Sequence, residues 1–529
     1  MFSAILISLA LNSSVLPDRL PVDVIPKVTV PNIDYVLMHE QDVIRDAKRD
    51  PYHFAVPNEL SLTPKSNGLW EQLDGEKMRW TCRVRCDNAI SMNLGFARYK
   101  MPPSGQLILS NQFRDYQIRP FTAEDNKDHG ELWSPIIPSN EIVIEITVDK
   151  TEQHEVSRNI ELTSINTGYR GFKGVGDRGS SGSCNIDVMC PEGDDWWDVI
   201  PSVGVYTLQG YWTCTGAMIN NTAQDQTPYF LTANHCGVTS STDSSIVVYW
   251  NHQNSYCRAP GSSASGGNGN GSYSQFTSGS TMRATRSYTD FTLTELSSQP
   301  NSSWGVTWSG WSRSSSAANG AGIHHPSTAE KRISFPDYMA ASGEYWNVNW
   351  AEGTTEPGSS GSPLYDANHR IVGQLCCGAA ACGNDSNDYY GRSLNQSWSY
   401  LDDYLDPTGS NVQYLDGYDP TALPLGACCI PAADACLNLR EANCLAGGGF
   451  WQGEDTTCDS GICDSEPECP TDVNGDSYTN VSDLLQVIGD WGETGSNPSD
   501  VNEDGIVGVN DLLAIIDAWG VLVIKLDDI

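Results

Sequence analysis

The chain has 529 residues, with 66 acidic and 30 basic side chains and a formal net charge of −36. This acidity argues against binding to nucleic acid, which needs a basic surface, and against binding to an anionic membrane surface. Charged residues make up 18% of the chain, below the roughly 25% of an average soluble domain. With 49 glycines, 16 tryptophans and 17 cysteines, the composition favours a loop-rich β protein of several domains from an oxidising compartment.

The chain opens with an apolar run inside MFSAILISLALNSS. The run is about ten residues long, too short for a bilayer, which needs ~20, and it suits the core of a signal peptide. We therefore expect residues 1–14 to be a signal peptide and the protein to be secreted rather than transmembrane. The alternative reading is a buried N-terminal strand.

Residues 15–178 form one predicted β-rich unit. The alternating segment IVIEITV at 142–148 predicts a half-buried strand, and Cys82 and Cys86 are spaced to close a small loop. The unit ends in GYRGFKGVGDRGSSGSC, which carries Lys173 and Arg178. Such glycine-rich chain is typically exposed and easily cut by proteases.

Residues 179–420 contain many short strands, such as YFLTANHC, DFTLTEL and RIVGQL, between turn-rich loops, which predicts a sandwich or a barrel. His235 follows the first of these strands, and Asp290 opens the second. Ser360 lies in EPGSSGSP, a tight glycine-flanked turn that exposes a serine Oγ and lets backbone N–H groups converge on an oxyanion. Each segment alone has a structural reading. Together, in the order His, Asp, Ser, they predict a catalytic triad in the chymotrypsin order.

This block closely resembles the bacterial lysyl endopeptidases, trypsin-like serine proteases with a double β-barrel fold. The matching segments include GSCNIDVMCPEG, YFLTANHCG, CRAPGSS, IHHP, TEPGSSGSP and DYYGR. The resemblance implies that His235 is the general base, that Asp290 orients its imidazole, and that Ser360 is the nucleophile. It also implies an oxyanion hole made by the backbone N–H groups of Gly358 and Ser360.

The turn contains two other serines, Ser359 and Ser362, but the trypsin-like pattern Gly-x-Ser-Gly-x-Pro selects Ser360. The remaining histidines of the block are poorer bases. His324 and His325 look structural. His252 and His369 lack an evident partner in the sequence.

The resemblance further implies three disulfides, which join Cys184 to Cys382, Cys190 to Cys257 and Cys214 to Cys236. The sequence departs from the family in GQLCCG, where Cys376 and Cys377 stand in place of a histidine and a glycine. This strand is expected to line the substrate cleft, so the departure concerns the wall of the substrate site.

The resemblance also implies cleavage after lysine, because Asp388 in NDYYGR matches the carboxylate that selects lysine in the family. The alternative is a plain surface aspartate, since Asp385 is close by. Lysine usage supports the first reading: between residues 179 and 420 the sequence has a single lysine, Lys331, but seven arginines. A lysine-cutting enzyme survives its own activity better with few lysines.

We predict that residues 15–178 are a propeptide and that the protein is made as a zymogen. Cleavage after Arg178 would leave Gly179 first, as in the mature lysyl endopeptidases, whereas cleavage after Lys173 would suit self-processing.

Residues 426–469 contain seven cysteines in a segment too short to bury much core, so disulfides are expected to hold it together. Because seven is odd, one cysteine is free or pairs elsewhere.

Residues 470–520 contain a duplicated acidic loop, DVNGDSYTN and DVNEDGIVG, whose copies lie 28 residues apart, each followed by an amphipathic segment that predicts a short helix. The loops place oxygen ligands at positions 1, 3, 5, 7 and 12 of an EF-hand-like pattern, which predicts Ca²⁺ binding. The predicted ligands are Asp472, Asn474, Asp476, Tyr478 and Asp483 in the first copy, and Asp500, Asn502, Asp504, Ile506 and Asp511 in the second.

This repeat resembles a type I dockerin module, which implies docking onto a cohesin-like partner. A cell-surface or matrix tether is the alternative.

The sequence therefore predicts a mainly β protein: a β-rich propeptide, a chymotrypsin-like double β-barrel protease domain, a Cys-rich unit and a small α-helical Ca²⁺-binding module. The expected function is a secreted serine endopeptidase that needs no cofactor for catalysis. The alternative is a catalytically inactive, protease-like adhesion or scaffold protein. An esterase of the α/β-hydrolase type is disfavoured, because its serine precedes its histidine in the chain.

Overall fold

The computed structural model describes residues 19–48, 50–73, 75–172, 181–421, 425–430, 435–440, 444–445, 449–453, 456–458, 463, 471–475, 479–495, 497–502 and 504–519. The predicted signal peptide, Lys173, Arg178, Asp476 and Tyr478 lie outside these residues. The chain divides into two compact units, Met1–Pro420 and Thr421–Ile529. In the part of the chain that the structure describes, no helix is both long and apolar enough to cross a membrane.

The described strands are β1 (Lys27–Thr29), β2 (Tyr52–His53), β3 (Ala55–Leu62), β4 (Leu69–Gln72), β5 (Lys77–Arg85), β6 (Ser91–Tyr99), β7 (Gln106–Asn111), β8 (Leu132–Trp133), β9 (Glu141–Asp149), β10 (Ile160–Gly168), β11 (Ile186–Asp187), β12 (Val203–Leu208), β13 (Trp212–Met218), β14 (Tyr229–Ala233), β15 (Val247–Tyr249), β16 (Phe276–Ser278), β17 (Ser280–Arg286), β18 (Phe291–Leu296), β19 (Gly310–Ser312), β20 (Ala321–His324), β21 (Arg332–Ser342), β22 (Tyr345–Glu352), β23 (Pro363–Tyr365), β24 (Arg370–Gly378), β25 (Asp388–Gly391), β26 (Tyr414–Leu415), β27 (Leu425–Ile430), β28 (Ala435–Arg440) and β29 (Phe450–Trp451). The α-helices are α1 (Tyr35–Lys48), α2 (Gln153–Asn159), α3 (Ser393–Gln396), α4 (Asp402–Leu405), α5 (Val481–Gly489) and α6 (Val509–Asp517).

The N-terminal part of the first unit contains two sheets, one ordered β1-β5-β9-β7 with β4 beside β5, the other ordered β3-β10-β6-β8. Strand β9 contains the segment predicted to be half-buried, but that prediction is wrong, since residues 141–146 are all buried. The reason is that β9 lies between β5 and β7 and its acidic residues are neutralised: Glu141 pairs with Arg83, and Glu145 pairs with Arg114.

Cys82 and Cys86 remain thiols and are both buried. Cys82 lies on β5 and Cys86 directly follows its last residue, so in extended chain their Cα atoms are separated by roughly 13 Å, whereas a disulfide needs less than about 7 Å. The small loop suggested by their spacing is therefore not closed by a disulfide.

Residues 181–420 form two further sheets, so this block is mainly β, as expected. The first sheet runs β16-β15-β12-β13-β14-β18-β17 and is open, while the second closes into a six-stranded barrel because β23 pairs with both β20 and β24. One apolar core joins the two sheets; it contains Leu231 and Phe291 from the first sheet and Ile323 and Ile371 from the second. This shared core fixes the edge of one sheet against the other.

The second unit contains a small sheet, in which β27 pairs with β28 and β29, and the helix pair α5 and α6. Three disulfides hold the Cys-rich segment: Cys428–Cys444, Cys429–Cys463 and Cys436–Cys458. The seventh cysteine, Cys469, lies outside the described residues. The two helices lie where the repeat predicts them, and their buried faces share a core that contains Val487 and Ile515.

Candidate active site

His235 lies in a short 3₁₀ turn, Asn234–Cys236, at the end of β14. The next residue, Cys236, forms a disulfide with Cys214 on the neighbouring strand β13. The turn is thereby tied to the open sheet on both sides, so the imidazole is presented from a rigid support. About a quarter of the His235 side chain is exposed.

Asp290 holds this imidazole in a defined orientation. One carboxylate oxygen lies 2.7 Å from His235 Nδ1, and the other accepts a hydrogen bond from the His235 backbone N–H at 2.8 Å. A carboxylate next to Nδ1 favours the tautomer with the proton on that nitrogen, which leaves Nε2 as the proton acceptor. Within the described residues, buried His235 Nε2 has no hydrogen-bond partner, so its bond to Ser360 Oγ is not formed in this structure; in free enzymes such catalytic hydrogen bonds are often long and tighten only in the substrate complex.

The backbone of Asp290 has a left-handed conformation, with φ of 52°, which is uncommon for a residue with a side chain. Its carbonyl oxygen accepts hydrogen bonds from the Asn234 backbone N–H at 2.9 Å and from Gln374 Nε2 at 3.2 Å. These bonds offset the backbone strain, of the kind that is often found at functional sites. Gln374 lies on β24, so the Asp290 backbone is also fastened to the second sheet.

Ser360 lies in the turn that precedes β23 of the closed barrel. Gly358 and Gly361 flank it with φ of 94° and 81°, a region that disfavours any side chain. A Cβ on Gly361 would also lie 2.2 Å from Thr232 Oγ1, so the turn packs directly against the open sheet. The glycine pattern predicted from the sequence is thus required by both conformation and space.

The three serines of this turn have different surroundings. Ser359 and Ser362 are fully buried, whereas Ser360 is only partly buried and lines the adjacent cavity. The Ser359 hydroxyl lies 2.8 Å from His324 Nδ1. Accessibility to substrate therefore singles out Ser360.

The other histidines of the block are structural or peripheral. Burial and the nearby Arg332 charge lower the pKa of His324 to about 3, and burial also lowers the pKa of His325 well below its usual value. Both residues are fully buried, as their structural reading requires. His369 has an acidic partner that the sequence did not indicate: its Nδ1 lies 2.9 Å from Asp198, in a partly exposed pair far along the chain.

A cavity of about 330 Å³ contains both Ser360 and Asp388 in its wall. Asp388 is 1% exposed, so the alternative of a plain surface aspartate is wrong. Its Oδ2 accepts hydrogen bonds from Thr355 Oγ1 at 2.6 Å and Trp350 Nε1 at 2.8 Å. Its other oxygen, Oδ1, accepts from the Ala380 backbone N–H at 3.3 Å.

Sequence reasoning missed the residues that support these groups. Thr355 and Trp350 hold Asp388, and Thr215 donates from its backbone N to the Ser360 carbonyl at 2.8 Å and from its Oγ1 to the Gly358 carbonyl at 2.9 Å. Trp350 and Thr215 belong to no motif with local chemistry, and Thr355 opens the matching segment TEPGSSGSP without an assigned role, so these roles emerge only when distant strands meet.

Three disulfides frame the two sheets: Cys184–Cys382, Cys190–Cys257 and Cys214–Cys236. These are the pairs that the family resemblance implies. Cys376 and Cys377 both carry thiols and line the same cavity as Ser360.

The second acidic loop of the C-terminal unit gathers its oxygen atoms around backbone N–H groups. The Asp500 carboxylate accepts from the N–H groups of Asp504 at 3.1 Å and Gly505 at 2.8 Å. The fully buried Asp511 accepts from Asn502 at 3.1 Å and Gly508 at 2.7 Å. Although burial opposes ionisation of Asp511, these N–H donors lower its pKa. Ionised carboxylates and amide oxygens are the donor set that Ca²⁺ takes, so the residues present fit this ion.

The described ligand candidates of the first loop are Asp472, Asn474 and Asp483. Asp483 is fully buried, and its carboxylate accepts from the backbone N–H groups of Asn474 at 3.1 Å and Asn480 at 2.9 Å. The two loops therefore fold their closing aspartates in the same way.

Comparison with known proteins shows what the central block is similar to. Residues 178–391 match the family model "Lysyl endopeptidase, C-terminal domain". A lysyl endopeptidase of Pseudomonas aeruginosa is 27% identical over 306 residues, which cover 52% of this chain and 63% of that relative. The chain thus spans less than two thirds of this relative's length. This match and the family model support a lysyl endopeptidase-like protease domain.

Solved structures that overlap with this chain include a Glu endopeptidase and a serine endoprotease from Yersinia pestis. The Glu endopeptidase is 14% identical, and the match covers 39% of this chain and 91% of the Glu endopeptidase chain, with a TM-score of 0.28. The Yersinia pestis endoprotease is 12% identical, and the match covers 40% of this chain and 65% of the endoprotease chain, with a TM-score of 0.27. Scores this low do not themselves define the fold.

We predict that Ser360→Ala abolishes peptide hydrolysis, with a loss of about 10⁶-fold in kcat by analogy with other triad knockouts. The matched control is Ser359→Ala, which removes a buried hydroxyl that contacts His324 rather than the cavity. Peptide hydrolysis and labelling by a fluorophosphonate would be measured for both, with thermal unfolding to verify the fold. An inactive Ser359→Ala enzyme beside an active Ser360→Ala enzyme would contradict the assignment.

Proposed function

We propose that this protein is a serine endopeptidase that cleaves peptide bonds on the carboxyl side of lysine. The observation that carries the proposal is the cavity that joins Ser360 to the buried carboxylate of Asp388. The nucleophile and a charged specificity group at one site suit a substrate with a cationic side chain next to the scissile bond.

In the proposed reaction, His235 Nε2 takes the proton of Ser360 Oγ as the oxygen attacks the scissile carbonyl. Asp290 stabilises the imidazolium through its bond to Nδ1, as its 2.7 Å contact allows. The N–H groups of Gly358 and Ser360 stabilise the oxyanion. The imidazolium then gives its proton to the leaving amine, and water hydrolyses the acyl-enzyme by the same steps.

Selection of lysine follows from the cost of burying a charge. A cation that enters a cavity must find an opposite charge, because an unpaired buried ion is costly. Asp388 offers that charge, with Thr355 and Trp350 fixing its position. An ammonium group is compact, whereas the guanidinium group of arginine is broad and planar, so one cavity geometry discriminates between them.

Lys331 supports the proposal because a lysine-specific protease must avoid cleaving its own folded domain. It is the single lysine between residues 179 and 420, and it is fully buried, with its Nζ donating to the Ile200 carbonyl at 2.7 Å. Burial lowers the pKa of this amine to about 7. The folded domain therefore offers its own active site no accessible lysine within that range.

We predict that the enzyme cuts Lys-X bonds about 100-fold faster than Arg-X bonds, the discrimination expected of a pocket shaped for one cation. Asp388→Asn should lose most Lys-X cleavage but keep its reaction with a small serine-directed label, because the triad is intact. Asp385→Asn removes the same charge from a nearby exposed position and is the matched control. Equal Lys-X and Arg-X rates in the wild type would contradict the assignment of Asp388 as the group that selects lysine.

We further propose that the protein is made as a zymogen, in which the N-terminal part occupies the cleft. Strand β2 pairs antiparallel with β13 through Thr213↔Tyr52 and Trp212↔His53, next to the Cys214–Cys236 disulfide. Asp46 and Asp50, just before β2, line the cavity that contains Ser360. A segment in this position competes with a peptide substrate for the same surface.

We predict that the active form starts at Gly174 or Gly179, after loss of the preceding residues. N-terminal sequencing of the active form determines the start directly, and the uncut chain should hydrolyse peptides more slowly than the processed one. An active form that still begins near Pro17 would contradict the zymogen proposal.

We propose that the C-terminal unit binds Ca²⁺ through its two loops and serves as a docking or tethering module for a cohesin-like or cell-surface partner. Outside the shared core, each helix leaves an equivalent apolar face exposed. The matching exposed residues are Val481, Leu485, Ile488 and Trp491 for α5, and Val509, Leu513, Ile516 and Trp519 for α6. The six disulfides of the described chain support an extracellular location.

We predict that Ca²⁺ binds the full chain and raises its unfolding temperature, because the cation neutralises carboxylates that otherwise repel one another. Asp511→Ala should remove binding at the second loop. Asp517→Asn, at the far end of the same helix, is the matched control for charge. Isothermal titration with Ca²⁺ and with a chelator provides the measurement, and identical binding by both variants would count against the site.

A further inference from the structure

Two adjacent cysteines, Cys376 and Cys377, carry thiols in the wall of the cavity that contains Ser360. Their state is unusual for this chain, because 12 of its 17 cysteines form the six described disulfides. A protein with this many disulfides matures where thiols are readily oxidised. A dithiol at the substrate site is therefore chemically exposed to the same conditions.

The register of β24 explains how neighbouring cysteines of a strand face the same cavity. Opposite β25, Leu375 pairs with Tyr390 and Cys377 pairs with Tyr389, so Cys376 is the extra residue of a β-bulge. Successive side chains of a regular strand point to opposite faces, and a bulge breaks this alternation. The two thiols thus line one cavity.

The strand that carries Cys376 is bonded to the candidate catalytic groups. Leu375, the residue before Cys376, accepts a hydrogen bond from the Gly361 backbone N–H at 2.8 Å, and Gln374 Nε2 donates to the Asp290 carbonyl at 3.2 Å. A change in the covalent state of the Cys376 sulfur therefore acts on the wall of the substrate cavity and on the strand that holds the Ser360 turn and the Asp290 backbone.

We propose that Cys376 and Cys377 form a reversible redox site, at which a small-molecule disulfide converts the dithiol into a vicinal disulfide that closes the cleft to peptide substrates. The second half of this statement rests on the proposed peptidase function, and the first half does not.

The reaction balances as two thiol–disulfide exchanges. The Cys377 sulfur attacks the small-molecule disulfide, forms a mixed disulfide and releases one thiolate, which takes up the proton that Cys377 lost. The Cys376 sulfur then attacks the Cys377 sulfur, forms the Cys376–Cys377 bond and releases the second small thiol, which takes up the proton of Cys376. The protein loses two electrons and two protons, and the small disulfide gains them.

Either sulfur can react first with an incoming disulfide. Both cysteines line the cavity and are partly exposed, so attack by Cys377 is one of two equivalent routes to the same vicinal disulfide.

The product is expected to be easily reduced. Consecutive Cα atoms lie about 3.8 Å apart, whereas the Cα atoms of ordinary disulfides are roughly 4.4 to 6.8 Å apart. A bond between neighbours therefore stores strain, and strained disulfides have the higher potentials that are typical of regulatory ones. Reversibility thus follows from the covalent geometry of adjacent cysteines.

To test the site, the purified full-length chain is incubated with oxidised glutathione or with dithiothreitol and digested under non-reducing conditions. Mass spectrometry of the peptide that contains residues 370–378 should show the loss of two hydrogen atoms after oxidation and their return after reduction. Cys82 and Cys86, which are buried and too far apart to pair, serve as internal reference thiols. A peptide that keeps both thiols in excess oxidant overturns the proposal.

To test the consequence, kcat/KM for a peptide substrate is measured after the same two treatments on the processed form, from which the N-terminal part has been removed. Displacement of the cleft wall by about 1 Å should lower kcat/KM roughly 100-fold, with recovery on reduction. Cys377→Ser should lose this redox response, whereas the unaltered enzyme prepared in the same way should keep it. A vicinal disulfide that forms without a change in kcat/KM overturns the closure. Fluorophosphonate labelling of the reduced chain tests the peptidase separately, so its failure does not affect the result of the thiol mapping.

Discussion

The arrangement of the site depends on Thr215, which fastens the nucleophile turn of the closed barrel to the open sheet. Its backbone N–H donates to the Ser360 carbonyl and its hydroxyl donates to the Gly358 carbonyl, at 2.8 and 2.9 Å. The base and its carboxylate belong to the open sheet, so these two bonds set the position of the serine relative to the histidine. A displacement of about 1 Å at a catalytic site costs roughly 100-fold in rate, so in the proposed peptidase Thr215 serves as a positioning residue.

A second connection joins the same turn to the chain that follows the predicted cleavage sites. The Glu356 carboxylate accepts from the Gly182 backbone N–H at 2.7 Å, from Asn185 Nδ2 at 2.8 Å and from Ser327 Oγ at 3.2 Å. Burial raises the pKa of this carboxyl group, although these donors and Arg332 act in the opposite direction. The first described residues after the predicted cleavage sites are thus bound to the turn that carries Gly358 and Ser360, so the N-terminal segment of the proposed active form and the proposed oxyanion hole would share one support.

The sequence allowed prediction of those parts of the site that local chemistry requires. A histidine after a strand, an aspartate before one and a serine between two glycines each need a particular local backbone. His235, Asp290 and Ser360 can therefore be recognised from local sequence patterns. The supporting residues cannot be recognised in this way. Thr215 lies 145 positions before Ser360, and nothing in the local sequence distinguishes it from other residues with a hydroxyl group.

Errors in the sequence reading also have physical causes. The alternating pattern at 142–148 suggested a half-buried strand, but partly buried arginine partners allow Glu141 and Glu145 to be covered. The bulge at Cys376 depends on pairing with β25, and the partnership of His369 with Asp198 depends on the approach of distant loops. Pairings of this kind arise from tertiary structure, and a single sequence carries no direct record of them.

The N-terminal part is bound to the open sheet by more than its covalent connection. Its core continues into Val205, Tyr249 and Phe276 of that sheet, and Phe172, immediately before the predicted cleavage region, packs 4.7 Å from Phe54 and 5.8 Å from Tyr249 between ring centroids. Apolar contacts of this kind persist when one peptide bond is cut, because they do not depend on chain continuity. Cleavage alone would therefore leave β2 and Asp46 in the cleft, and activation of the proposed zymogen requires dissociation or digestion of the N-terminal part as a separate step.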